Sequence, residues 1–75
     1  MEKINVAPPF IKLEQFLKFA NIAETGGMAK LMINDGIVTV NGEVCTMRGK
    51  RLYNNDVVVI NFEEETEEFL CVIEQ

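Results

Sequence analysis

The stretch "VTVNGEV", residues 38–44, is the clearest local structural signal in this 75-residue chain. Val38 and Val40 alternate across a polar residue, and Val44 resumes the pattern on the far side. Between them lies Asn41–Gly42, the dipeptide preferred where both central residues of a two-residue turn need positive φ. The expectation is a hairpin, and the rest of the chain has to be arranged around it.

Upstream, "KINV" (3–6) is a short strand that Pro8–Pro9 ends, because neither proline can donate to a ladder. "KLEQFLKFA" (12–20) follows as a helix: Leu13, Phe16, Leu17 and Ala20 form one apolar stripe, with Lys12 and Lys18 off it. After the link "NIAE", Thr25 is placed to cap a second helix from about Gly26 to Asn34, with Ala29, Met32 and Ile33 facing inward and Met28 beside them. Gly36 follows where a left-handed residue ends a helix. Downstream of the hairpin, "TMRGKRLYNND" is a polar connection with three positive charges in four residues. Asn54, Asn55 and Asp56 are turn formers that tolerate positive φ. "VVVINF" (57–62) has the continuous apolar run of a strand buried on both faces. "EEETEE" (63–68) is a charged turn, and "FLCVI" (69–73) a returning strand.

Composition narrows the function. The chain contains no histidine, which removes the usual general base and the usual catalytic dyads. Carboxylate chemistry needs an acidic pair framed by an apolar pocket, and none is legible. Cys45 and Cys71 have neither CxxC spacing nor a histidine to complete a set of about four zinc ligands. They read as reduced, partly buried thiols. No catalytic residue, metal or cofactor is expected. "MEKINVAPPF" lacks the apolar core of a signal peptide, and no run approaches about 18 apolar residues, so a cytoplasmic protein with no membrane partner is expected. The net charge of −5 hides an asymmetry. Residues 1–62 carry seven bases against six acids, +1, while residues 63–75 carry six glutamates and no base, −6. A near-neutral body with an acidic end can still bind an anion locally.

The order helix, helix, hairpin, basic loop and strand resembles the ribosomal-protein-S-four-type RNA-binding domain. That family reads R-L-D-x-x-L, then S-R-x-x-A-x-x-L-I-x-x-G-x-V-x-V-N-G, then a variable loop and G-D before a strand. "KLEQFL" (12–17) matches the opening, with Lys12 and Glu14 for arginine and aspartate. "TGGMAKLMINDGIVTVNG" (25–42) matches the long segment without a gap, with Thr25 for serine, and "NDVVVI" (55–60) matches the close, with Asn55 for glycine. The TGG signature and "RGKRLYNNDVV" are most similar to small stand-alone bacterial proteins of the YaaA/YbcJ type. The resemblance covers about residues 12–60. It implies an α+β, ribosomal-protein-S-four-like (αL) fold, with two short packed helices against a small, mainly antiparallel sheet of about four or five strands, residues 1–75 forming one domain. It also implies a non-catalytic protein that binds structured RNA, ribosomal RNA above all, in ribosome assembly or translation.

Two features are candidates for that contact. The start of a helix carries unpaired N–H groups and a partial positive charge that suit a phosphate. Gly26 and Gly27 would let a ribose-phosphate backbone approach without Cβ interference, with the Thr25 hydroxyl and the Lys30 ammonium close by. Alternatively the glycines only make a tight interhelical turn or let the helices pack closely. The second feature is Arg48, Lys50 and Arg51, a phosphate-binding or merely solubilising loop. With Lys12, Lys18 and Lys30 they would make one basic face for reading an RNA helix by shape and phosphates. Aromatic stacking is not expected: Phe16 belongs to the helix stripe and Phe62 to a buried strand, with Phe10, Phe19 and Tyr53 assigned to core or edge packing. Gly26 stands where the family usually has an arginine, and the sequence pI is low, about 4.5. Both favour a second reading, a protein-interaction module (docking a ribosomal particle or a protein partner through the sheet edge or the glutamate-rich turn) on the same fold.

Overall fold

In the computed structural model, which describes residues 1–74, Asn41 and Gly42 have φ of 52° and 88°. Both central residues of the turn are therefore left-handed, as a type I′ hairpin requires. The chain runs β1 (Glu2–Val6), β2 (Ile11–Lys12), α1 (Leu13–Phe19), α2 (Gly26–Asn34), β3 (Val38–Val40), β4 (Glu43–Val44), β5 (Arg51–Leu52), β6 (Val57–Asn61) and β7 (Thr66–Ile73). Five strands make a sheet in the order β1-β7-β6-β3-β4, and β2 and β5 form a separate two-stranded ribbon. Among the described residues only β1 and β7 pair in parallel; the other pairs are antiparallel. This is the expected α+β architecture, with two helices packed on a mainly antiparallel sheet.

The apolar stripe of α1 lands where its spacing puts it: Leu13, Phe16 and Leu17 are fully buried and Ala20 is half-buried. Asn21, with φ 61°, ends the helix. Thr25 caps α2, its Oγ1 accepting from the Met28 N–H at 3.1 Å. Ala29 and Ile33 pack inward, and Gly36 closes the helix at φ 77°. The helices meet Val38, Val40, Val58, Ile60, Phe69, Cys71 and Ile73 from one face of the sheet, and Leu52 joins from the ribbon.

Asn54, Asn55 and Asp56 do more than turn the chain. Asn54 Oδ1 accepts from the Ile73 N–H at 2.8 Å, the Asn55 N–H donates to the Cys71 carbonyl, and the Asp56 carbonyl accepts from the Cys71 N–H. Of the three, Asn55 takes the positive φ, 75°. Asn41 reaches across to the same place, accepting from the Val57 N–H at 2.8 Å and donating to Asp56 Oδ1 at 3.1 Å. The hairpin turn is thereby clasped to the start of β6. Burial, and secondarily the Asp56 carboxylate, push the Cys71 thiol above its ordinary pKa, so it stays protonated in the core.

Four expectations are corrected. In β6 only Val58 and Ile60 are fully buried, while Val57 and Val59 are half-covered on the far side. The helices pack on one face of the sheet, the face that carries Val58 and Ile60. Phe62 lies beyond the end of β6 and is 38 % exposed. The acidic turn is shorter than 63–68, because β7 begins at Thr66. Glu67 and Glu68 pair opposite Ile60 and Val59, backbone pairing overriding the weak strand preference of glutamate. Phe19, at 60 % exposed, and Tyr53, at 49 %, lie outside the core.

Phe16 is the largest fully buried side chain. Phe16→Ala should cost about 3–5 kcal/mol, the range for removing a buried phenyl ring. Urea titration followed by circular dichroism should show a large drop in midpoint, with the variant mostly unfolded near body temperature. A loss below about 1 kcal/mol would show that α1 does not organise the core.

Candidate nucleic-acid interface

The basic loop is held by its backbone. The Leu13 N–H donates to the Lys50 carbonyl at 2.7 Å and the Glu14 N–H to the Arg48 carbonyl at 3.1 Å. The first N–H groups of a helix have no partner within it, and here the loop supplies two carbonyls. Gln15 Oε1 accepts from the Lys12 N–H at 3.4 Å and closes the same turn. The loop is docked on α1 while the side chains of Arg48 and Lys50 stay exposed.

The ribbon adds two more cations. Ile11 pairs with Leu52 and Lys12 with Arg51. Leu52 is fully buried and Ile11 packs against the core, so strand alternation turns Lys12 and Arg51 outward, side by side. Like charges directly opposite one another are unfavourable, by a few tenths of a kcal/mol up to about 1 kcal/mol. Arg51 relieves part of this by placing its guanidinium carbon 4.5 Å from the centroid of the Phe10 ring. Lys12 and Arg48 line one groove with Glu14, Gln15, Met47 and Gly49; Lys50 lines the next, beside Cys45, Thr46 and Met47. The structure thus brings together Lys12, Arg48, Lys50 and Arg51. Lys18 sits in a shallow groove with Gln15 and Phe19, and Lys30 is exposed one turn into α2.

Gly26 and Gly27 begin α2 as the sequence indicates, yet neither has positive φ. A Cβ at Gly26 would lie 3.6 Å from Glu14 Oε1, and one at Gly27 3.8 Å from Thr25 Oγ1, both ordinary contacts. The close-packing explanation for the glycines therefore has no steric basis. The Thr25 hydroxyl is engaged in the capping the sequence indicates. One further fact was not legible in the sequence: the Glu14 carboxylate stands beside the start of α2, a partial positive charge next to an acid of the same chain. Phe10 and Tyr53 also belong to this surface. Their signal is a two-residue alternation, Phe10–Lys12 and Arg51–Tyr53, split between distant segments.

Two helices on a small mixed sheet, with a cationic ribbon and a docked basic loop at α1, define a small α+β module of the ribosomal-protein-S-four type. A family model described as S4 domain matches residues 4–67, and the chain belongs to that family. It is also similar to the "Probable ribosome maturation protein RlbA" of Bacillus subtilis (strain 168), 44 % identical over 57 residues that cover 76 % of this chain and 80 % of that protein.

Since a methyl group fits at both positions, Gly26→Ala/Gly27→Ala should stabilise α2, by up to about 1 kcal/mol per site. Thermal unfolding should shift upward by about 4–8 °C for each kcal/mol gained. A downward shift would show that the fold itself requires the glycines.

Proposed function

We propose that this chain is a non-catalytic RNA-binding protein that grips the phosphate backbone of structured RNA, ribosomal RNA foremost, and acts in ribosome maturation. The observation that carries this reading is the like-charged pair Lys12–Arg51, set on a ribbon beside a loop whose backbone is bonded to α1. Four cations held together against their own repulsion are relieved when an anion enters between them. Arginine supplies forked contacts to phosphate oxygens and lysine a mobile point charge. The exposed start of α2, with Gly26 and Gly27 admitting close approach, Thr25 shaping the turn and Lys30 one turn on, extends the same track, and Lys18 lies further along α1. A surface of this kind reads helical shape and phosphate spacing rather than base sequence. Membership of the S4 domain family and the name of the Bacillus subtilis relative support the RNA and the ribosomal process. No described helix is long and apolar enough to cross a membrane, and the cytoplasm is the compartment that goes with this role.

The test is retention of ribosomal RNA fragments by the native chain and by Arg48→Glu/Lys50→Glu/Arg51→Glu. Native affinity should fall with salt at a log–log slope of about −3, three to four phosphate contacts each contributing about −0.9. The triple variant should lose binding while keeping its circular dichroism spectrum. Equal RNA retention by both proteins would sink the proposal. Retained association with ribosomal particles but no RNA affinity would instead favour the protein-interaction reading, through the sheet edge or the acidic residues Glu63–Glu65, Glu67 and Glu68.

Glu14 opposes this function, since its carboxylate faces the start of α2. Glu14→Gln should tighten RNA binding several-fold and lower stability by about 0.3–1 kcal/mol, through loss of a charge at a helix N-terminus. Weaker binding in the variant would show that Glu14 organises the surface rather than screening it.

A further inference from the structure

The outward face of the β2–β5 ribbon carries aromatic rings as well as cations. Strand alternation sets Ile11 and Leu52 against the core and sends Phe10, Lys12, Arg51 and Tyr53 to the other side. The Phe10 and Tyr53 rings face each other one step beyond the ladder, with centroids 6.1 Å apart and planes inclined at 53°. Arg51 lies over the Phe10 ring at 4.5 Å. Tyr53 is 49 % exposed although the core lies directly beneath the ribbon. Its backbone is also fixed: the Tyr53 N–H donates to Asp56 Oδ2 at 2.7 Å, and Asp56 is itself bonded to Asn41.

We propose that Tyr53, with Arg51 held over Phe10, is a stacking platform for one unpaired nucleobase, so that the ligand is an RNA helix bearing a bulge, a junction or a frayed end. This rests on the RNA reading above and names the class of RNA. A nucleobase offers a flat π-face joined to an anionic backbone. Bases in a continuous A-form helix keep those faces stacked on one another, and only an unpaired one can turn out onto an aromatic ring or a guanidinium plane. The ribbon presents both kinds of plane, and Lys12 stands opposite Arg51 to take the adjoining phosphate. Docked protein would be matched less well, since the rings alternate with two cations that an apolar partner would have to desolvate.

Two RNA hairpins of equal length separate the possibilities, one fully paired and one carrying a single unpaired 2-aminopurine. The native chain should bind the second about tenfold more tightly, the order of one base–aromatic stack, and should quench its fluorescence. Tyr53→Phe should keep both effects. Tyr53→Leu, at an exposed site outside the core, should lose the preference and the quenching. Equal binding of the two hairpins by the native chain, or a preference that survives Tyr53→Leu, would overturn the platform and leave the phosphate-binding reading standing. No binding of either hairpin at low salt would overturn both.

Discussion

The two hydrogen bonds from Leu13 and Glu14 to the carbonyls of Lys50 and Arg48 decide what the rest of this small protein can do. A short helix has little stability of its own, and its first N–H groups need partners. A flexible basic loop has the complementary problem, since ordering it costs conformational entropy on the order of 1–2 kcal/mol per residue. Joining them lets the helix obtain its acceptors and the loop its conformation from the same bonds. The carbonyls turn inward, and the charged side chains are left facing solvent. The ribbon continues this logic, with buried Leu52 anchoring the strand that presents Arg51 outward.

A second tie fixes where the ribbon ends. Asp56 accepts from the Tyr53 N–H and from the Asn41 side chain, while Asn41 also accepts from Val57. One carboxylate thereby couples the hairpin turn, the end of the ribbon and the beginning of β6. Asn41 is thus required twice, for its tolerance of positive φ and for an amide that can donate and accept together. A turn selected only for tightness could use glycine there, but it would lose both side-chain bonds.

What was legible in the sequence is what local chemistry determines. The stripe Leu13–Phe16–Leu17, the Thr25 cap, the Asn41–Gly42 turn and the end of α2 at Gly36 each depend on neighbours within a few residues. Illegible features are those set by partners distant in sequence. Strand β2 is two residues long and is a strand only because β5 lies beside it. The same holds for Glu67 and Glu68, which read as turn by composition and pair in β7 because β6 offers a ladder. The basic residues were visible, but their convergence depends on backbone carbonyls, which carry no sequence signature. The aromatic pair was assigned to packing for the same reason: Phe10 and Tyr53 are brought together by the ribbon's register.

The net charge of −5 and the basic surface are compatible because they act over different distances. At physiological ionic strength exposed charges are screened beyond about 8 Å. An approaching RNA therefore feels an acidic molecule weakly, and the cationic ribbon only once it is nearly in place. Long-range steering contributes little, and association depends on local fit. In the proposed binding mode, phosphates would meet Lys12, Arg48, Lys50 and Arg51 at close range, beside the Glu14 carboxylate. The glycines at the start of α2 belong to the same economy. A Cβ at either position meets only ordinary contacts, so their cost in helix stability would be explained by the close phosphate approach proposed for this end of α2. In the proposed binding mode, short-range attraction without long-range steering would favour RNA whose phosphate spacing fits the four cations over other polyanions.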